Sequence, residues 1–237
     1  MEQGFVKVAS ATPRIRVADP VYNAQVICEQ AKEAAEHGAK IVVFPELCIT
    51  GYTCNDLFLQ ELLLEKAKEA LLTIAEETGQ LETLFLVGLP VDKDGRLYNV
   101  AAVLYRGRIL GMIPKKNIPM YAEFYEGRHF TPGEETVTEY RLGKQVIPFG
   151  SNLLFRCEEL PELILGCELC EDLWVAEPPS TSHALMGATV IANLSASNET
   201  VSKDDYRTLL IKASSARLLC GYIYTSAGEG ESTQDLV

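Results

Sequence analysis

The stretch GCELCEDLW, residues 166–174, places Cys167 and Cys170 three positions apart. Such a pair supports three chemistries: a redox couple, half of a zinc site, or one nucleophile beside a packing residue. Two other reactive side chains are placed like the second cysteine. Glu46 follows the apolar run IVVFP, Lys115 follows ILGMIP, and Cys170 follows LILGCEL. A carboxylate, an ammonium and a thiol at the exits of apolar strands are a base, a cation and a nucleophile. That set is complete for acyl transfer.

The chemistry divides naturally among them. A carboxamide carbon needs a strong nucleophile, and a thiolate is one. Glu46, in a partly desolvated pocket that raises its pKa, serves as the base. Lys115 and the backbone N–H of Glu171 are the donors for a tetrahedral oxyanion. Protonated Glu46 then hands its proton to departing ammonia. Taken singly, each residue also has a plainer reading: Glu46 as a surface carboxylate or helix cap, Lys115 as a solvated lysine like its neighbour Lys116, Cys170 as a small buried hydrophobe.

The elements that must position these groups alternate between strand and helix patterns. Residues 5–11 read as a strand. Residues 21–37 read as a helix, with Val21, Ala24, Ile27, Cys28, Ala31 and Ala34 at helical spacing and Gly38 as its stop. Residues 40–46 form a short buried strand ending in the carboxylate. A long amphipathic helix covers 57–78, a buried strand 84–91, and a hairpin 98–115 turns at Arg106-Gly107-Arg108. Strands come next at 153–156 and 163–169, then a helix at 178–187, a strand at 189–195, a helix at 204–220 and a strand at 221–227. Helical crossovers mixed with hairpins predict a layered α/β domain with a mixed sheet.

Bulk composition narrows the class. The 237 residues are 47% hydrophobic, enough for one globular core, and the net charge of −12 argues against nucleic acid or an anionic membrane as the partner. No window approaches a membrane-spanning length, and residues 1–7 lack the pattern of a secretory signal. The seven cysteines lack framework spacing, which predicts free thiols in a reducing cytoplasm. There is no internal repeat or linker.

Five segments together resemble a known family. FPELCITGYTCNDLF (44–58), PKKNIPMYAEFYEGRHF (114–130), CEDLW (170–174), IANLSAS (191–197) and SAGEGESTQDL (226–236) are similar to the nitrilase superfamily, and within it to the glutaminase domains of glutamine-dependent NAD+ synthetases. The resemblance runs along the whole chain. It implies a four-layer αββα sandwich and a Glu–Lys–Cys triad matching Glu46, Lys115 and Cys170. Lys115 matches because it follows Pro114 directly. It further implies a second pocket glutamate at Glu126 and a substrate glutamine held by groups matching Tyr121, Glu171, Ser197 and a basic residue. That last position is Lys203, a point charge where some relatives carry the bidentate fork of arginine. Lys203 and Glu171 are the cation and anion that a free amino acid requires, and Tyr121 or Phe124 can wall its aliphatic stem.

The cysteine pair divides accordingly. Zinc needs two more ligands, yet His37, His129 and His183 have no paired spacing and there is no second C-x-x-C. A redox pair should open a helix with few acidic neighbours, whereas Glu168, Glu171 and Asp172 surround this one and oppose thiolate formation. Cys167 lies within the strand run and reads as packing; Cys170 at the exit reads as the nucleophile, with Lys115 partly offsetting the carboxylates. GEGEST lacks the lysine and following helix of a phosphate loop. It reads as a structural turn or a surface that meets another domain.

The expectation is thus one nitrilase-like amidotransferase domain over residues 1–237, truncated at its C-terminal end, that hydrolyses L-glutamine through a thioester on Cys170. The resemblance implies that ammonia passes to a synthetase domain, where ATP and Mg would act on nicotinic acid adenine dinucleotide. No S-G-G-x-D-S motif for ATP occurs in the chain, and neither a cofactor nor a metal is expected in this domain. The resemblance also implies a homo-oligomer, at least dimeric. The alternatives are a free-standing amidase for another small amide, a non-catalytic scaffold, and a redox protein with a reversible Cys167–Cys170 disulfide.

Overall fold

Asp19 and Pro20 start the first helix. The Asp19 carboxylate accepts from the Tyr22 N–H at 3.1 Å, and Pro20 opens the first turn with its φ already helical. Helix α1 (Pro20–Glu36) then buries Ala24, Ile27, Cys28 and Ala31. Helix α2 (Glu61–Glu77) buries Leu63, Ala67, Ala70, Leu71 and Ile74. Both stripes recur at three and four positions, so each helix has one apolar face to cover. The computed structural model from which these elements come describes residues 4–232 and 236.

The two helices lie on a 7-stranded mixed sheet built from β1 (Val8–Ser10), β2 (Ile41–Val43), β3 (Leu84–Lys93), β4 (Arg96–Tyr105), β5 (Arg108–Pro114), β6 (Thr138–Leu142) and β7 (Gln145–Phe149). Its strand order is β1-β2-β3-β4-β5-β7-β6. A second sheet, in the order β11-β10-β9-β8, contains β8 (Leu154–Arg156), β9 (Ile164–Leu169), β10 (Val190–Ser195) and β11 (Gly221–Ser226). Helices α3 (Pro179–Leu185) and α4 (Lys203–Leu218) cover its outer face.

Period-two alternation sorts the side chains into layers. Leu86, Ala101, Val103 and Ile113 from the first sheet meet Leu165, Cys167, Leu169, Ala192, Leu194 and Ile223 from the second, forming a core between the sheets. Val42, Phe44, Phe85, Val87 and Leu104 point the other way, toward α1 and α2. The result is the αββα sandwich expected.

Several boundaries differ from the sequence reading. The strand expected at 5–11 shortens to β1, because only Val8–Ser10 pairs with β2. The helix expected from residue 57 begins at Glu61, and Tyr52–Leu59 forms 3-10 turns before it. The hairpin expected at 98–115 is present as β4–β5, and β3 also pairs with β4 through Asp94 and Gly95, both at positive φ as a tight hairpin requires. The β6–β7 hairpin has no counterpart in the sequence reading.

Candidate active site

Three strand ends deliver the reactive groups to one place. The turn after β2 carries Glu46. Its N–H donates to the Ser195 carbonyl at the end of β10, at 3.2 Å. Leu47 takes a positive φ there, and the turn presses on β3 so closely that a Cβ on Gly88 would lie 2.2 Å from the Leu47 nitrogen. Only glycine lets β3 pass beneath it. Lys115 follows β5 directly, and Cys170 follows β9.

The carboxylate and the ammonium are fully buried and joined. Lys115 Nζ donates to Glu46 Oε1 at 2.7 Å and to Glu126 Oε1 at 2.5 Å. Asn99 Nδ2 donates to Glu46 Oε1 at 2.7 Å, and the Ala196 N–H to Glu46 Oε2 at 2.9 Å. Glu126 Oε1 also accepts from the Tyr52 hydroxyl at 2.9 Å. The plainer readings of Glu46 as a surface carboxylate and Lys115 as a solvated lysine are therefore overturned. Buried charges survive only when paired and hydrogen-bonded, and these are.

Electrostatics sets the three groups apart. Burial pushes the Glu46 carboxyl up to about 7, against the pull of Lys115. Burial alone would lower Lys115, but Glu126 and Glu46 outweigh it and hold the ammonium well above its usual range. Burial first, and the Glu46 charge second, push the Cys170 thiol up, while Lys115 pulls it down. A thiol raised in this way rests protonated, so it needs a base beside it.

Cys170 itself sits at φ +40°, a left-handed conformation that non-glycine residues adopt at a cost of order 1–3 kcal/mol. It begins a single turn of 3-10 helix, Cys170–Leu173, whose first N–H groups, Glu171's among them, have no partner within the turn. Asp172 holds that turn. Its Oδ2 accepts from the Leu169 N–H at 3.0 Å, and its Oδ1 accepts from the Asn117 N–H and side-chain amide, each at 2.8 Å. The segment after Lys115 is thereby tied to the segment that carries Cys170.

Around this centre stands a polar and aromatic rim. The Tyr121 hydroxyl donates to Glu171 Oε2 at 2.8 Å, and burial raises the Glu171 carboxyl. The buried Phe124 ring meets Tyr121 edge-on at 5.7 Å. Lys203 Nζ lies 5.6 Å from the centre of the Phe124 ring and 5.2 Å from that of Trp174, and it donates to Asn198 Oδ1. Ser197 is buried, and its hydroxyl accepts from Arg207 Nη1 at 3.3 Å.

A carbon–nitrogen hydrolase model matches residues 7–227. The chain belongs to the carbon–nitrogen hydrolase family. Among the relatives it resembles is the glutamine-dependent NAD(+) synthetase of Mycobacterium tuberculosis, 43% identical over 235 residues, which are 99% of this chain and 35% of that protein. The corresponding enzyme of Thermotoga maritima is 33% identical over 216 residues. This chain therefore spans about a third of the length of the curated relatives it matches. Among solved structures, a glutamine-dependent NAD(+) synthetase from Cytophaga hutchinsonii superposes with a TM-score of 0.83 at 29% identity, over 94% of this chain and 37% of that one. An amidase from Nesterenkonia sp. shares the fold at a TM-score of 0.71 and 20% identity, over 80% of its own length.

Within this carbon–nitrogen hydrolase the structure gathers Glu46, Lys115, Cys170 and Glu126 in one buried cluster, with Tyr121, Phe124, Glu171, Ser197 and Lys203 around it. Glu126 contacts Lys115 and Tyr52 rather than facing outward. Cys167 points into the core between the sheets, whereas Cys170 belongs to the buried cluster. The pair thus divides between the inter-sheet core and the buried charged cluster. Among the described residues no group of three or more His, Cys, Asp or Glu side chains is gathered as a metal ion would require, and no helix is long and apolar enough to cross a membrane. Within GEGEST, whose Thr233 lies outside the described residues, Glu231 is a brace: it accepts from the N–H groups of Tyr52 and Thr53 at 2.6 and 3.0 Å.

Sequence reasoning missed Asn99, Asp172 as a clamp, and Arg207. Asn99 interrupts the apolar run of β4, a signal that the sequence does carry. Asp172 reads from sequence only as a charge opposing the thiolate, yet its oxygens are committed to N–H donors. Arg207 lies one helical turn beyond Lys203, on the same face of α4.

Proposed function

We propose that this chain hydrolyses the side-chain amide of L-glutamine. The carrying observation is the Lys115 ammonium, buried between Glu46 and Glu126 next to a thiol that cannot ionise unaided. Glu46 takes the Cys170 proton as sulfur bonds to the carboxamide carbon. The oxyanion is held by Lys115 Nζ and the Glu171 N–H. Collapse breaks the C–N bond, Glu46 returns the proton to nitrogen, and ammonia leaves a thioester. Water, deprotonated by Glu46, then releases L-glutamate. Glu171 answers the substrate ammonium, and Lys203 with Arg207 answers its carboxylate.

The similarity to NAD(+) synthetases supports a role for the ammonia. In a longer protein it would pass to a synthetase domain, and ATP and Mg would belong there. A second copy of the chain is a further partner of this reading, resting on the family resemblance alone.

An electrophilic glutamine analogue tests this reading, followed by intact-mass analysis and peptide mapping, with and without competing glutamine. The expected result is a single adduct on Cys170 that glutamine suppresses. Labelling of Cys170 that glutamine leaves unchanged would instead favour an amidase for another small amide.

A further inference from the structure

The outer face of the second sheet carries a polar cluster that the proposed chemistry does not use. Glu168, Asn193 and Tyr224 stand in one row, since Asn193 is in register with Glu168 on β9 and with Tyr224 on β11. Tyr222 lies one step diagonally away on β11, and Cys170 follows Glu168 by two positions, just past the end of β9. Glu168 and Asn193 are buried. A carboxyl in such a place must be satisfied internally. Glu168 Oε2 accepts from the Ser180 N–H of α3 at 2.8 Å, and Oε1 accepts from the Tyr222 hydroxyl.

The directions of these bonds are fixed from one end. The Cys170 N–H can only donate, and it donates to Asn193 Oδ1 at 3.2 Å. The Ser195 hydroxyl donates to the same oxygen at 2.7 Å. The Asn193 carbonyl is thereby turned to Cys170, and its NH2 to the Tyr222 oxygen at 3.4 Å. With that oxygen accepting, the Tyr222 proton is directed to Glu168. We infer that Glu168, Tyr222 and Asn193 form a directed hydrogen-bond chain that positions the Cys170 backbone, and so aims its thiol at Glu46 and Lys115.

The need for such a chain arises from the backbone. Cys170 occupies a left-handed φ of +40°. A strained conformation persists only where its surroundings over-determine it. Asp172 fixes the turn on its far side through the Leu169 N–H, and Asn193 fixes the Cys170 N–H itself. Released from Asn193, the peptide can relax and the sulfur loses its alignment. Misplacement of about 1 Å at a reacting group is worth up to roughly a hundredfold in rate. Glu168, Tyr222 and Asn193 are positioning residues; none touches the reacting atoms.

The inference rests on Cys170 as the nucleophile, and on the glutamine reading only for its kinetic readout. Tyr222→Phe, Asn193→Ala, the double variant and Glu168→Gln would be compared by three measurements. These are kcat and KM for glutamine, the rate at which iodoacetamide alkylates Cys170 as monitored by peptide mapping, and Tm. Tyr222→Phe, which keeps the shape, should lower kcat and Cys170 alkylation about three- to tenfold with KM within about twofold. Glu168→Gln should move the same quantities in the same direction. Asn193→Ala should cost more, and adding Tyr222→Phe to it should cost nothing further, since the chain is already cut. Additive losses, or a Tyr222→Phe protein with wild-type kcat and alkylation rate, would overturn the inference. If the wild-type chain fails to turn over glutamine, the alkylation series still decides the matter, and the failure falls on the substrate reading alone.

Discussion

Glu46 and Glu126 place one carboxylate oxygen each on the same ammonium, 2.7 and 2.5 Å from Lys115 Nζ. Two acids on one cation cannot both be fully neutralised, and the imbalance falls on the base. Burial raises Glu46 to about 7, and the Glu126 charge adds to the rise. Glu46 accepts the thiol proton only when ionised. Activity as kcat/KM should therefore increase as pH rises through about 7. The apparent value belongs to the coupled cluster rather than to Glu46 alone. Glu126→Gln removes the raising charge, so the ascending limb should move to lower pH. A pH–rate profile of both proteins checks this, and an upward or absent shift contradicts it.

The adjacent lysines should separate sharply. Lys115 is fully buried at the site, whereas Lys116 reaches Glu135 at 2.5 Å from a half-exposed position. Lys115→Ala removes an oxyanion donor and leaves two buried carboxylates unpaired, so kcat should fall by about 100-fold or more. Lys116→Ala breaks a pair of the exposed kind, which is worth about 0–1 kcal/mol. Steady-state kinetics with a melting curve on each variant decides it. The reverse order would mean that the site is built on the wrong lysine.

Cys167 and Cys170 should part in the same way. Cys170→Ala should abolish turnover with little change in Tm. Cys167 lines the core between the sheets, so Cys167→Ala should cost about 1 kcal/mol of stability and leave kcat intact. Equal residual activity in the two variants would remove Cys170 from its role.

Much of this site is legible in the sequence because each reactive group ends an apolar run. Strands in a layered fold are near-continuous apolar stretches, and the residue just past such a stretch is delivered to a loop. Glu46, Lys115 and Cys170 stand out as candidates on that ground, and the family resemblance joins them as one set. The groups that hold them do not stand out. Asn99, Asp172 and Asn193 act mainly through hydrogen bonds to segments distant in the chain, Glu46, Asn117 and Cys170 respectively, and no local spacing encodes such pairings. The β6–β7 hairpin escapes the sequence for a different reason. Its inward residues Tyr140, Leu142, Ile147 and Phe149 alternate with Glu139, Arg141 and Val146. The period-two signal is present, but charged residues and a Gly143-Lys144 turn dilute it.

Arg207 should prove to be a specificity residue. Its Nη1 donates to Ser197 Oγ at 3.3 Å, and its guanidinium also pairs with Glu199. A substrate carboxylate arriving at Ser197 meets a fork that can bind it at two points, which the Lys203 ammonium cannot do. Arg207→Ala should raise KM for glutamine about tenfold or more with kcat changed little. Arg207→Lys should restore only part of the loss. A fall in kcat at unchanged KM would instead place Arg207 in support of the backbone around Ser197.

Glu231 offers the most remote test. Its carboxylate accepts from Tyr52 N–H at 2.6 Å, Thr53 N–H at 3.0 Å and the Thr53 hydroxyl at 2.5 Å, so it fixes the turn that opens the 3-10 segment. The Tyr52 hydroxyl in turn donates to Glu126, which shares Lys115 with the base. Gly230 makes the approach possible: at φ +106°, a Cβ there would lie 2.0 Å from the Ile15 carbonyl oxygen. Removing the carboxylate leaves two backbone donors unpaired and takes from the Thr53 hydroxyl its acceptor, leaving it only the contacts to Ser232. Hydrogen bonds to charged groups contribute about 1.5–3 kcal/mol each, and partial solvation offsets part of that sum, so Glu231→Ala should destabilise by about 2–3 kcal/mol. Activity should also fall, because Tyr52 would no longer hold Glu126 in place. Tyr52→Phe separates the two effects: it keeps the brace and removes only the hydroxyl. It should reproduce the change in the pH–rate profile without the fall in Tm. If Tyr52→Phe leaves the profile untouched while Glu231→Ala alters it, the brace acts on the site by some route other than Glu126.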